Sequence, residues 1–287
     1  MLSPFARTCL LAAATLALAA FDPASPPPKP PPPMSDADVA LARRNLPMLE
    51  LAARRGSWRA MRAIALASFD GRATGGRDMP RAVALLTAAS AAGDIDSMRI
   101  LSNGYHFGFY GLPRDYAKAM EWTKRDAETG DPLAISAVGT LYKDGDGQHS
   151  DPGEAVRWFR RSADAGSIDG MNSLGLCLLN GIGVERNTAE GIRWLGQAAG
   201  RGQPNALMTM AQVYMGKNAG PSEPPRALAS IALALTQDTK SALGETRRTE
   251  AATLQHHLQA TLSPADLARA AALQAEMAKR FDPPAPH

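Results

Sequence analysis

Apolar residues return along this chain in two alternating patterns, and both have the period of a helix. In the first, apolar or small residues stand at i, i+3, i+4 and i+7: Met61/Ile64/Ala65/Ser68, Met98/Leu101/Ser102/Tyr105, Ile135/Val138/Gly139/Tyr142, Met171/Leu174/Gly175/Leu178 and Leu207/Met210/Ala211/Tyr214. That spacing lines one side of a helix. A glycine follows at Gly71, Gly108, Gly145 or Gly181, the residue that tolerates the left-handed turn just past a helix C-terminus. The second pattern opens on Asp78, Asp115, Asp151 or Asn187, whose side-chain oxygens can accept the orphan N–H groups of a first turn. Four residues on comes Ala82, Ala119, Ala155 or Gly191, small enough to let two helices approach, and three further on a large residue, Leu85, Trp122, Trp158 or Trp194. The three tryptophans are 36 residues apart, and each is followed eight positions later by a glycine, Gly130, Gly166 or Gly202. Self-similarity at such a period predicts a solenoid, in which each helix-turn-helix unit buries its apolar face only against its neighbours.

Two stretches, AVGTLYKDGDG…DPGEAVRWFRRSADAG and SLGLCLLNGIGVERNTAEGIRWLGQAAGRG, resemble Sel1-like repeats. That pattern runs as a Leu-Gly-x-x-Tyr helix, a Gly-x-Gly-Val turn, an Asp-x-x-x-Ala approach and a Trp-x-x-x-x-Ala-x-x-Gly exit. The expected fold is all-α, a right-handed TPR-like α-solenoid of five such repeats over 58–238 with helical caps. The outer repeats depart from the pattern: 58–95 lacks the Tyr and Trp, and the last unit carries Ser230 at the Trp column and Glu223-Pro224-Pro225 at the cap. Met48, Ala53 and Gly56 fit the second-helix columns, so 37–57 reads as half a unit whose first helix is missing, an N-terminal cap. Residues 243–281 read as a closing helical pair, its second helix capped by Ser263 with Pro264 at the first position.

Ahead of the repeats, an apolar run from Cys9 to Ala20 follows Arg7 and ends in Ala17-Leu18-Ala19, which predicts a secretory signal over 1–19. The run is too short to span a bilayer comfortably, so no stable membrane anchor is expected after cleavage. A Pro-rich spacer, 20–36, and a loose tail, 282–287, complete the division. The expected location is periplasmic or secreted.

Composition narrows the function more than it names it. The formal charge is +3, and basic and acidic residues alternate along the helices with no basic stripe interleaved with aromatics, so no nucleic-acid partner is expected. Cys177 would be the one cysteine left after cleavage, with no histidine at a spacing that would activate it. His256-His257 are adjacent and point about 100° apart on a helix, and His106 and His149 have no carboxylate companions at ligand spacing, so neither metal nor cofactor is expected. Ser-x-x-Lys and His-Glu-x-x-His motifs are absent, which argues against a β-lactam or peptidoglycan hydrolase and for a non-enzyme. The resemblance implies protein–protein interaction, here as a scaffold or adaptor of the bacterial envelope.

Two surfaces were available for a partner. First helices of helical-pair solenoids usually line the concave side, and a stripe one, five and eight residues after each first core position turns partly away from the core. It holds Arg62 and Phe69, Arg99 and Asn103, Thr140, Leu176 and Leu179, and Met208 and Gln212. The apolar members either bind a partner or pack against the previous unit. The second surface is the aromatic turn Tyr105–Gly111, where Phe109 and Tyr110 could meet a protein pocket, a glycan or peptidoglycan, or instead plug the gap between units.

Overall fold

The computed structural model of the protein describes residues 30–145, 150–216, 222–238 and 243–279. The expected signal (1–19), most of the Pro-rich stretch, the tail (282–287) and His149 lie outside these residues. Thirteen α-helices account for most of the described chain. They are α1 (Asp36–Arg54), α2 (Trp58–Asp70), α3 (Met79–Ala91), α4 (Ile95–Phe107), α5 (Tyr116–Ala127), α6 (Pro132–Asp144) and α7 (Pro152–Asp164). The rest are α8 (Ile168–Asn180), α9 (Thr188–Gly200), α10 (Pro204–Tyr214), α11 (Pro224–Gln237), α12 (Gly244–Thr261) and α13 (Pro264–Ala278). Two compact units divide at Val138/Gly139, inside α6.

The helices start and stop where the side chains dictate. Asp78, Asp115, Asp151 and Asn187 each accept the backbone N–H three residues on, at 2.9–3.0 Å. The same residues close the long turn inside each repeat, because their own N–H donates back to the last core residue of the first helix. Those bonds are Asp78 to Ser68 (3.1 Å), Asp115 to Tyr105 (2.9 Å), Asp151 to Tyr142 (2.7 Å) and Asn187 to Leu178 (2.9 Å). In α10–α11 the closure recurs from Glu223 to Tyr214 at 2.7 Å, although Glu223 makes no side-chain cap bond. Thus the turn survives loss of the capping side chain. At the exits, Gly93, Gly130 and Gly166 have φ of +88°, +86° and +90°, and a Cβ on any of them would touch nothing within 4 Å. Glycine is needed there for its dihedral, not for space.

Inside a repeat the opposite holds. A Cβ on Gly175 would sit 2.7 Å from Leu195 Cγ and 3.0 Å from the Gly191 carbonyl, and one on Gly191 would sit 2.9 Å from the Gly175 carbonyl. Helices α8 and α9 therefore pack backbone to backbone, and the small-residue column is the face a second helix turns to its own first helix. In the unit from Gly139 onward this contact nucleates a continuous core of Phe159, Leu174, Leu178, Leu195, Leu207 and Ile231, which reaches Ala251 and Leu258 of α12 and Ala270 of α13. The other unit has a core of Phe69, Leu86, Leu101, Tyr105 and Trp122. A separate small cluster, Val39 and Ala42 with Ala67 and Ala73, seats α1 on the first repeat. Polar ties reinforce the seat: Arg72 pairs with Asp36 at 2.9 Å, and Arg81 with Glu50 at 2.8 Å. Pro47 stands inside α1 and withholds the N–H that the Arg43 carbonyl would otherwise accept.

Candidate protein-binding surfaces

The first-helix stripe is mostly not a surface. Arg62, Phe69, Asn103, Thr140, Leu179 and Met208 are buried, and Arg99, Leu176 and Gln212 are half-buried. In the first unit the arginines join one repeat to the next. Arg62 Nη1 donates to Asp94 at 2.8 Å and also to Asp96, both at the start of the following first helix. One repeat on, Arg99 Nη2 donates to Asp131 at the start of the following first helix, and its Nε donates at 2.9 Å to Asp126 near the end of α5 in its own repeat. Burial pushes the Asp94 carboxyl above the ordinary range, opposed by the Ser97 hydroxyl and then by the Arg62 charge. Burial likewise raises Asp126, against the pull of Arg99. The Oδ1 atom of Asp126 is buried with no hydrogen-bond partner. These carboxylates stay where they are because the arginines hold them.

In the second unit the same columns are apolar or uncharged. Leu179 is 1% exposed, its backbone close enough to forbid a Cβ on Gly191, and Met208 is 1% exposed within the core. Gln212 donates to Glu250 at 3.1 Å and Asn205 accepts from Arg247 at 2.6 Å, so α12 lies against this side of α10. Of the stripe in this unit, Leu176 keeps a partly open apolar side chain. The expectation of an open binding stripe is corrected accordingly: this row is packed away, by charge pairs between repeats in the first unit and by neighbouring helices in the second.

The aromatic turn is a plug. Phe109 is 7% exposed and Tyr110 stacks on Phe69 with centroids 4.8 Å apart. Phe107 stacks in turn on Phe109 and His106, at 5.2 and 4.2 Å. The ring faces that a sugar would need are taken by protein. Tyr110 is the one non-glycine described residue with positive φ, +60°, a conformation held by this packing. Burial moves its hydroxyl up to about 12 and His106 down to about 4, the latter helped by the Arg114 charge. Burial also lifts the Cys177 thiol to about 11, far from the thiolate a nucleophile needs. His256 and His257 are both exposed on α12.

Exposed apolar area collects instead at α1. Met48 is 74% exposed, Leu51 52% and Leu41 36%. With Ala52 and Trp58, Met48 and Leu51 line an open cleft of about 560 Å³ rimmed by Arg55 and Arg59. Arg59 stacks over Trp58 at 4.1 Å. The reading of 37–57 as a half unit pointed at this end of the array, but it missed that α1 keeps apolar side chains open. Two repeating columns also went unread: Arg62 and Arg99 are 37 residues apart, and so are Asp94 and Asp131.

No helix among the described residues is long and apolar enough to cross a membrane. A Sel1 repeat model matches residues 58–94, 95–130, 132–167 and 168–203, leaving the α10–α11 pair outside the match. No curated protein matches the chain. Among solved structures it is similar to c5321, a protective antigen of uropathogenic Escherichia coli displaying an SLR fold. That likeness has TM-score 0.64 and 21% identity, and covers 82% of this chain and 48% of the other. It is also similar to a Sel1 repeat protein from Oxalobacter formigenes, with TM-score 0.62 and 24% identity, covering 82% of this chain and 65% of that one. The chain thus spans less than two thirds of either structure, and at these identities the likeness shows the fold. With four consecutive repeats matched over half its length, the chain belongs to the Sel1 repeat family, whose solenoids are typically non-catalytic and generally mediate protein–protein interactions.

Proposed function

We propose that the protein is an exported scaffold of the bacterial envelope that docks an amphipathic helix of another protein chain on the open face of α1. The observation that carries this reading is Met48. It occupies the column of Leu85, Trp122, Trp158 and Trp194, and yet is 74% exposed. Neighbouring columns agree: Asn45 stands where Ala82, Ala119, Ala155 and Gly191 face their own first helices, and no first helix precedes α1 among the described residues. Contiguous exposed apolar side chains rimmed by cations mark interaction surfaces more often than solvated ones. Export rests on the apolar run Cys9–Ala20 and the small residues Ala17 and Ala19.

The test has two arms. Affinity capture from an envelope extract should retain a protein partner with the parent chain and lose it with Met48→Glu, while Leu176→Glu, if folded, keeps it. Capture unaffected by Met48→Glu would overturn the docking face. Mass spectrometry of the chain from the envelope fraction should find an N-terminus near Ala19; an intact Met1 in the cytosol would overturn export.

A further inference from the structure

The α1 face is built to receive itself. Along α1, Asp38, Leu41, Asn45, Met48, Ala52 and Arg55 follow one another at intervals of three and four residues. That alternation is the spacing of a two-helix coiled-coil seam, with Leu41 and Met48 as its large apolar positions, and it runs beside the face already used by Val39 and Ala42. The sequence of intervals reads the same from either end. An antiparallel twofold therefore sets Leu41 against Ala52, Asn45 against Met48 and Asp38 against Arg55 of the second helix. Charge follows the same symmetry, since the first turn carries Asp36 and Asp38 and the helix ends in Arg54 and Arg55. Antiparallel pairing puts acidic against basic at both ends, whereas parallel pairing opposes like charges. A foreign acidic helix would satisfy only the basic end. The cleft also fits, because Leu41 of the second helix would enter it between Met48, Ala52 and Trp58.

We infer that two copies of this chain associate through antiparallel pairing of their α1 helices. This rests on the reading of the α1 face as a docking surface. It makes the assembled scaffold a pair of repeat arrays joined at their N-terminal caps. A seam of one 19-residue helix per copy is small, so the dissociation constant belongs in the micromolar range, on the order of 1–100 μM.

Sedimentation velocity of the full chain over roughly a hundredfold range of concentration should show monomer passing to dimer. Met48→Glu buries an unpaired charge in the seam and should weaken association at least about tenfold. Asp38→Arg and Arg55→Asp should each weaken it, and the double reversal should restore it, which a merely unfolded variant would not do. In a background lacking the native thiols, Leu41→Cys chains mixed with Ala52→Cys chains should form a disulfide-linked heterodimer, fixing the antiparallel register. A chain monomeric throughout, a dimer indifferent to Met48→Glu, or a double reversal no better than its singles would overturn the inference. A monomeric chain that still loses a different captured protein on Met48→Glu would overturn self-pairing alone; indifference of both association and capture would remove the docking face as well.

Discussion

The stripe beside the first-helix core carries different chemistry in the two halves of the array. In the first unit, Arg62 and Arg99 follow the first core position, and each spans to the start of the next first helix, Arg62 to Asp94 and Asp96 and Arg99 to Asp131, with Asp126 of its own repeat as a second partner. In the second unit the corresponding positions are Asn172 and, in the last repeat, Met208, both 1% exposed and the latter part of the apolar core. The backbone closure of each repeat is the same in both, from Asp78–Ser68 to Glu223–Tyr214. Helix-turn geometry therefore fixes the fold, and the same stripe is ionic in one unit and uncharged in the other. An ionic join is fragile in a particular way. Asp94 and Asp126 are buried and each has one guanidinium partner, whereas the apolar packing around Met208 degrades gradually with lost volume.

The largest effect should come from unmatched charge. Arg62→Met leaves Asp94 buried beside Asp96 without its cation and should cost about 3–5 kcal/mol in denaturant unfolding. Adding Asp94→Asn should recover a substantial part, and a single-variant loss below about 1 kcal/mol would show that the ladder is not holding the repeats together. Met208→Ala should cost about 2–4 kcal/mol by opening a cavity in a site that is 1% exposed. If it cost as little as a surface substitution, the apolar join would be wrong.

A smaller effect tests the aromatic plug. His106 titrates at about 4 when folded, below its ordinary value near 6.5, because burial and then Arg114 disfavour the cation. The folded state thus binds fewer protons than the unfolded chain between these values. Its contribution is complete above about pH 6.5 and is lost as the pH falls towards about 4, by roughly 1–3 kcal/mol. Thermal melts from pH 7 to 4.5 should show the decline, and His106→Gln should flatten it. Smallest of all, Met48→Glu should change monomer stability by no more than about 0.5 kcal/mol, since this side chain is 74% exposed. A large loss would place Met48 in the core.

Much of this fold was legible because its rules are local. Caps at Asp78, Asp115, Asp151 and Asn187, exit glycines and helical periodicity each act within a few residues, and the sequence repeats them. The surfaces were less legible because exposure depends on what a neighbouring element brings. Arg62 and Leu179 have the spacing of an outward stripe, yet one is held by Asp94 and the other by the close approach of Gly191. Phe109 and Tyr110 sit in a turn, where aromatics suggest contact with a partner, but the turn folds back onto Phe69. At α1 the second-helix columns were legible, while the open apolar face needed the positions of α2 and Trp58.

Methionine oxidation footprinting, resolved by peptide mass spectrometry, tests the central claim that the stripe is packed away and α1 is the docking face. At low chain concentration Met48 should oxidise rapidly and Met208 hardly at all, and as the concentration rises the rate at Met48 should fall while Met208 stays protected. Equal oxidation of Met208 and Met48, or a Met48 rate independent of concentration, would contradict the account.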